Sequence, residues 1–199
     1  MNSRVRALWA LLAAGVILTG VLAVISSTQA QAQTMVREVD IAENGTRFVS
    51  DEAPVFPEDG MPAYGNSFLT QGYIYPAGTL NGSNGVNPDG TPEFPDKVIG
   101  EWSCRGYFIG DGAHTTKGAW VYSTQMFAFG EDADSGNQTV LVTGYEGSEV
   151  GVPVTGAVTG GTGEYATARG EAEQRLLGLN NPDLPTMGVN KRMLLEVVR

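Results

Sequence analysis

Residues 157–172 read AVTGGTGEYATARGEA, and how this stretch folds decides what the rest of the chain can be. Gly160, Gly161 and Gly163 give the backbone access to positive φ within four residues. Before them, Val152, Val154, Ala157 and Val158 are β-branched or small and apolar. After them, Tyr165, Thr167, Arg169 and Glu171 alternate with Ala166, Ala168, Gly170 and Ala172. A period of two is the signature of a strand with unlike faces. The stretch therefore predicts two antiparallel strands and one corner of a barrel.

A competing pattern lies in the same residues. Gly161-Thr-Gly163-Glu-Tyr-Ala166 matches the dinucleotide fingerprint G-x-G-x-x-A, and Asp183 follows twenty residues after Gly163. That fingerprint needs a strand before, a helix after and a parallel strand beyond. Gly170 inside the helix would cost about 1 kcal/mol, and nothing upstream reads as a βαβ repeat. The strand–turn–strand reading is the one carried forward.

Working outward, apolar and alternating runs predict strands at 34–41, 64–75, 97–109, 119–129, 138–146, 149–159, 164–176 and 190–198. Residues 42–63 are acidic and proline-bearing and predict a loop. Residues 76–95 are rich in glycine and proline and read either as a lid over one barrel mouth or as a floppy connection. Residues 110–118 predict a hairpin connection, 130–136 an acidic turn and 177–189 a loop. The expected fold class is all-β, an eight-stranded antiparallel β-barrel. Such closure removes exposed sheet edges and leaves an interior that is either filled or holds one small ligand.

Residues 1–32 stand apart. Arg4 and Arg6 precede an apolar run at 7–25, and Ala30-Gln31-Ala32 is a small-x-small cleavage pattern. This predicts a cleaved signal peptide and a secreted or periplasmic protein; an uncleaved membrane anchor is the other reading of so long a run. The expected organisation is a signal peptide at 1–32, an acidic segment with the first strand at 33–63, and the barrel domain at 64–199. Without Arg4 and Arg6 the chain keeps ten basic residues against 22 acidic ones, a net charge of −12. Nucleic acid and anionic lipid both need a basic patch, so neither is an expected partner. A single cysteine, Cys104, allows no intrachain disulfide and reads as a small buried hydrophobe. The single histidine, His114, falls in the 110–118 turn.

Three segments resemble the superfamily of plant dirigent proteins and allene oxide cyclases: residues 99–109 (IGEWSCRGYFI), 122–130 (YSTQMFAFG) and 157–172. The last is the most specific. It is similar to the dirigent pattern of a Gly-Gly-Thr-Gly turn, an aromatic residue and Ala-Arg-Gly-x-Ala, here Gly160 to Gly163, Tyr165, and Ala168 to Ala172. The resemblance implies an eight-stranded barrel with an apolar pocket, commonly a trimer. It also implies a pocket that steers cyclisation or coupling of an apolar substrate without metal or organic cofactor. One departure stands out: plant dirigents typically carry a disulfide near the mature N-terminus, which Cys104 alone cannot supply.

One histidine and one cysteine supply no Ser-His-Asp or Cys-His arrangement and no zinc-type ligand set. The catalytic candidates are Arg169, Glu101 and Tyr107. By alternation Arg169 shares a face with Tyr165 and Glu171. It would either polarise a carbonyl inside the barrel or pair with Glu171 or Glu101 at the rim. Glu101 and Arg105, on one face of their strand, form either a buried pair that tunes a carboxylate or an ordinary solvated pair. Tyr73, Tyr122 and Tyr165, with Arg105, are the candidate ligand-binding residues; packing is the other reading of the tyrosines. Two functions of different class follow: a cofactor-independent cyclase or isomerase, or a non-catalytic carrier or structural barrel.

Overall fold

The computed structural model describes residues 33–130, 136–180 and 188–198. The predicted signal peptide, the centre of the acidic turn and most of the 177–189 loop lie outside these residues. Among the described residues nine strands form: β1 (Thr34–Glu43), β2 (Val49–Ser50), β3 (Ser67–Pro76), β4 (Gly100–Phe108), β5 (Ala119–Phe129), β6 (Thr139–Gly147), β7 (Pro153–Gly161), β8 (Arg169–Asn180) and β9 (Gly188–Val198). Among the described residues no helix is long and apolar enough to cross a membrane.

Every pairing between named strands is antiparallel, in the order β1-β9-β8-β7-β6-β5-β4-β3, and β1 returns to pair with β3. Eight long strands thus close a barrel, and β2 adds two residues to the outer edge of β3. Closure rests on β1, which pairs with β9 from Thr34 to Ala42 and with β3 from Val39 to Glu43.

The period of two sorts the side chains. On β4, Trp102, Cys104 and Phe108 point inward, while Glu101, Ser103, Arg105 and Tyr107 lie on the outer wall. Trp102, Phe127, Val140, Met193, Leu195 and Val197 fill the barrel with their neighbours. Gly100 and Gly106 are the inward glycines of β4. A Cβ at either would collide with a backbone carbonyl of β5, so the strand bends where only glycine permits close approach.

The predicted turn at 160–163 is present, but the strand after it starts later than expected. Residues 163–165 form one turn of 3₁₀ helix and β8 begins only at Arg169. Gly163 adopts φ +60° beside Asn137, and the turn drives Tyr165 into the core against Phe129 at 5.9 Å. Tyr165 and Arg169 therefore do not share a strand face as alternation implied; the 3₁₀ turn breaks the period between them.

The long connection at 77–99 is neither a mouth lid nor a loose tether. It lies along the outer wall, where Leu80 and Val86 pack with Ala42 and Tyr75 in a second apolar cluster. The Tyr73 and Tyr75 hydroxyls donate to Gly90 O and Gly85 O, both at 2.7 Å. Leu80 N donates to Asp40 Oδ2 at 2.9 Å and Asn190 Nδ2 to Asn84 O at 2.7 Å. This cover explains why the second half of β1 is buried on both faces.

Candidate functional site

The two barrel ends are built differently. At one end Tyr165, Phe129 and Val197 fill the lumen, and the Arg37 guanidinium lies 4.2 Å from the Phe129 ring centroid. At the other a cavity of about 300 Å³ opens where β1, β4, β6 and β8 end and β3, β5 and β9 begin. Phe48, Phe68, Phe108 and Trp120 wall it, and Met61 and Pro62 of the 51–66 loop stand at its rim. That loop is held across the mouth by Ala113 N donating to Pro62 O at 2.9 Å. His114 Nε2 meets Asp59 Oδ2 at 2.8 Å, and Phe56 stacks on the His114 ring at 4.0 Å.

Three charged side chains form the cavity floor: Glu43 from the end of β1, Glu146 from β6 and Lys191 from β9. All are buried. Lys191 Nζ is ion-paired to Glu146 Oε2 and stands 4.4 Å from the Trp102 ring centroid, a cation–π contact. Ser123 Oγ donates to Glu146 Oε1 at 2.5 Å, and the Cys104 thiol approaches the same oxygen at 3.4 Å. Behind the floor a relay runs from Trp102 Nε1 to Gln125 Oε1 at 3.0 Å and from Gln125 Nε2 to Gln174 Oε1 at 2.9 Å. It ends with Gln174 Nε2 facing Glu146 Oε2 at 3.4 Å. Cys104 is buried as expected, yet it borders this polar network.

The electrostatics separate the two carboxylates. Burial alone would raise Glu146, but the Lys191 charge and the hydrogen bonds from Lys191, Ser123 and Cys104 outweigh it and hold the group below its ordinary value. Burial likewise opposes the charge on Lys191, and the field of Glu146 with the hydrogen bond to it outweighs that and holds the ammonium above its ordinary value. Glu43 has no such partner. Burial dominates and lifts it, only partly offset by the more distant pull of Lys191 and by Val189 N, which donates to Glu43 Oε2 at 2.8 Å. Thr70 Oγ1 lies near enough to favour the ionised form slightly, but makes no hydrogen bond of ordinary geometry. The result is a held ion pair beside a carboxyl poised toward its neutral form, the pattern expected where environment assigns different roles to neighbouring acids.

None of the residues singled out from the sequence lines this cavity. Arg169 is exposed, its Nη1 donating to Ala168 O at 2.5 Å. Glu101 is half-buried on the outer wall beside Tyr73, which anchors the 77–99 connection. Arg105, Tyr107 and Tyr122 are brought together, but in a shallow recess on the outside of β4 and β5, with Tyr107 55% and Tyr122 46% exposed. Tyr165 plugs the opposite end.

The floor residues did carry a signal. Glu43 continues the inward phase of Val39 and Ile41; Glu146 that of Val140 and Val142; Lys191 that of Val189, Met193 and Leu195. A charge in phase with buried aliphatics is the mark of a charged interior.

The fold and site together define a closed eight-stranded barrel whose apolar mouth ends on a charged floor. No protein-family profile and no curated protein matches the sequence. Solved structures do. The pterocarpan synthase dirigent protein PsPTS1 aligns at TM-score 0.59 and 14% identity, over 84% of this chain and 96% of that one. GePTS1, also a pterocarpan synthase dirigent protein, aligns at TM-score 0.56 and 15% identity, over 85% and 89%. The chain has the dirigent-type barrel fold that the 157–172 motif implied.

Proposed function

We propose that the barrel takes a small, largely apolar molecule into the mouth cavity and steers its cyclisation or coupling, with Glu43 and Lys191 as the acting groups. One observation carries this reading: a carboxyl lifted by burial and an ammonium locked in its charged form share the floor of an otherwise apolar cavity. Glu43 in its neutral form can donate a proton or hydrogen bond to a substrate oxygen; ionised, it can accept one. The Lys191 ammonium, held in place by Glu146, can stabilise negative charge developing on that oxygen without reorganising. Apolar walls favour the compact conformers from which rings close and keep water from the reacting atoms. The dirigent-type fold supports this at the level of architecture, and the basic, apolar and small-residue pattern of residues 1–32 supports an exported protein.

The test is native mass spectrometry of the protein purified from its own host under conditions that preserve non-covalent ligands. A co-purifying apolar molecule, turned over by the wild type and at least about a hundredfold more slowly by Glu43→Gln, is the expected result. A molecule that is held and never converted establishes a carrier instead. Protein that is bare and also refuses a panel of apolar probes overturns the pocket reading.

A further inference from the structure

Two polar atoms in the cavity wall make no hydrogen bond of ordinary geometry within the protein. Thr70 Oγ1 and Trp120 Nε1 are both buried and form no hydrogen bond, and both residues line the cavity. Thr70 is only 1% exposed and stands deep, next to Glu43. Trp120 stands at the start of β5, edge-on to Phe108 at 6.3 Å. A register irregularity between Ala119 and Val121 puts Trp120 and Val121, neighbours in sequence, on the same cavity wall. A bulge that re-aims a side chain beside a site is a recurrent device. A buried polar group left unpaired carries a full desolvation cost, and native interiors rarely leave such groups unanswered.

An indole N–H donates and cannot accept, so whatever answers Trp120 must be an acceptor. The floor constrains charge. Glu146 already neutralises the one ammonium, and burial of a further negative charge beside Glu43 would raise that carboxyl still more, so the floor offers an anionic ligand no free cation. A cation would satisfy Glu43 but leave both donors unmet. Phe48, Phe68 and Phe108 offer flat apolar surface to a ring. Resting on the pocket reading above, we propose that the ligand is an uncharged ring compound with hydrogen-bond-accepting oxygens at two separated points. The Thr70 hydroxyl takes the deep oxygen and the Trp120 indole N–H takes the outer one.

A matched probe series tests this on the purified protein: naphthalene, 2-methoxynaphthalene, 2,6-dimethoxynaphthalene, 2-naphthoate and 2-naphthylmethylammonium, by calorimetric or fluorescence titration. Ether oxygens only accept, so they report donors alone. The dimethoxy probe is expected to bind at least about tenfold tighter than naphthalene, the scale of one or two net hydrogen bonds. Trp120→Phe and Thr70→Val should each narrow the affinity ratio of the dimethoxy probe to naphthalene, the quantity read in each variant against its own naphthalene affinity. In wild-type protein the indole N–H resonance of Trp120 should lie further downfield with the dimethoxy probe than with naphthalene, whose ring current is nearly the same, a readout that needs no variant. Equal affinity for all neutral probes overturns the inference and leaves the pocket reading standing. Tightest binding of the ammonium probe, lost in Glu43→Gln, overturns it in favour of a cation site. Failure of every probe to bind overturns both.

Discussion

The two ends of one barrel solve the same problem in opposite ways. Each strand of β1, β6 and β9 runs its inward phase from one end to the other, and each carries aliphatics through the middle. At the closed end the lumen is filled by Tyr165, Phe129 and Val197. The charged residue in phase there, Arg37, is only half-buried and rests on the face of Phe129. At the open end the in-phase residues are Glu43, Glu146 and Lys191, all withdrawn from water beneath a cavity. A dry plug is enough to hold a barrel shut. A buried ion pair is seldom the more stable choice over apolar packing, so its presence beneath the cavity sets that end apart from the plugged one.

The sharpest way to break this contrast is to unpair the floor. Lys191→Met leaves the Glu146 carboxylate buried without its cation and should lower stability by about 3–5 kcal/mol, read by denaturant unfolding. Replacing both partners, as Glu146→Gln with Lys191→Met, should recover most of the loss. If the single and double variants are equally unstable, the pair is not the unit described here.

Next in size is a change confined to the plugged half. Leu195 is fully buried there, opposite Arg37 and Ala172. Leu195→Ala should cost about 2–5 kcal/mol through the cavity it leaves while affinity for an apolar probe at the mouth stays within error. A matching loss of affinity would show that the two ends are not independent.

Acid titration sharpens the difference between the two carboxylates. Glu43 is raised above its ordinary 4.5, so its contribution to stability is fully present below that value and is lost as pH rises through its folded pKa. Glu146 is lowered, so its contribution is present above 4.5 and is lost as pH falls through its own, lower folded value. Glu43→Gln should therefore be as stable as the wild type or more so at neutral pH, and should remove the decline on the rising side. Unchanged pH dependence in this variant would mean that Glu43 titrates normally.

The smallest effect concerns the loop over the mouth. The Asp59 hydrogen bond raises His114, so its contribution is complete below 6.5 and fades as pH rises through the raised value. Amide protection factors in residues 51–64, with the intrinsic pH dependence of exchange divided out, should fall slightly over that range in the wild type and stay flat in His114→Ala, with global stability little changed, as exposed pairs contribute little.

The barrel itself was legible. Alternation located all eight long strands because a period of two is imposed by the backbone, and the residue on each inner face follows once one apolar residue is placed. The split of Trp102, Cys104 and Phe108 from Glu101, Arg105 and Tyr107 was readable in residues 97–109 alone. The glycine corner at 160–163 was equally clear, because positive φ is a local property. Where a 3₁₀ turn interrupted the period, the phase was lost, and Arg169 was placed on the face of Tyr165 when it stands outside.

Chemistry was less legible, for a different reason. Glu146 and Lys191 sit in phase with buried aliphatics of expected strands, so alternation alone points them inward, whereas Glu43 lies in the 42–63 stretch that reads as a loop and gains that phase only because β1 runs on to residue 43. Alternation could not show that the three would meet. Residues 43 and 191 belong to neighbouring strands only because β1 closes on β9, and Glu146 arrives from across the lumen on β6. Which strand ends share a mouth is set by strand order and closure, long-range relations with no local trace. The sequence determined the strands, the corner and the inward phase; only the closed sheet decided that three buried charges, two unmatched donors and a ring of aromatics would share one cavity.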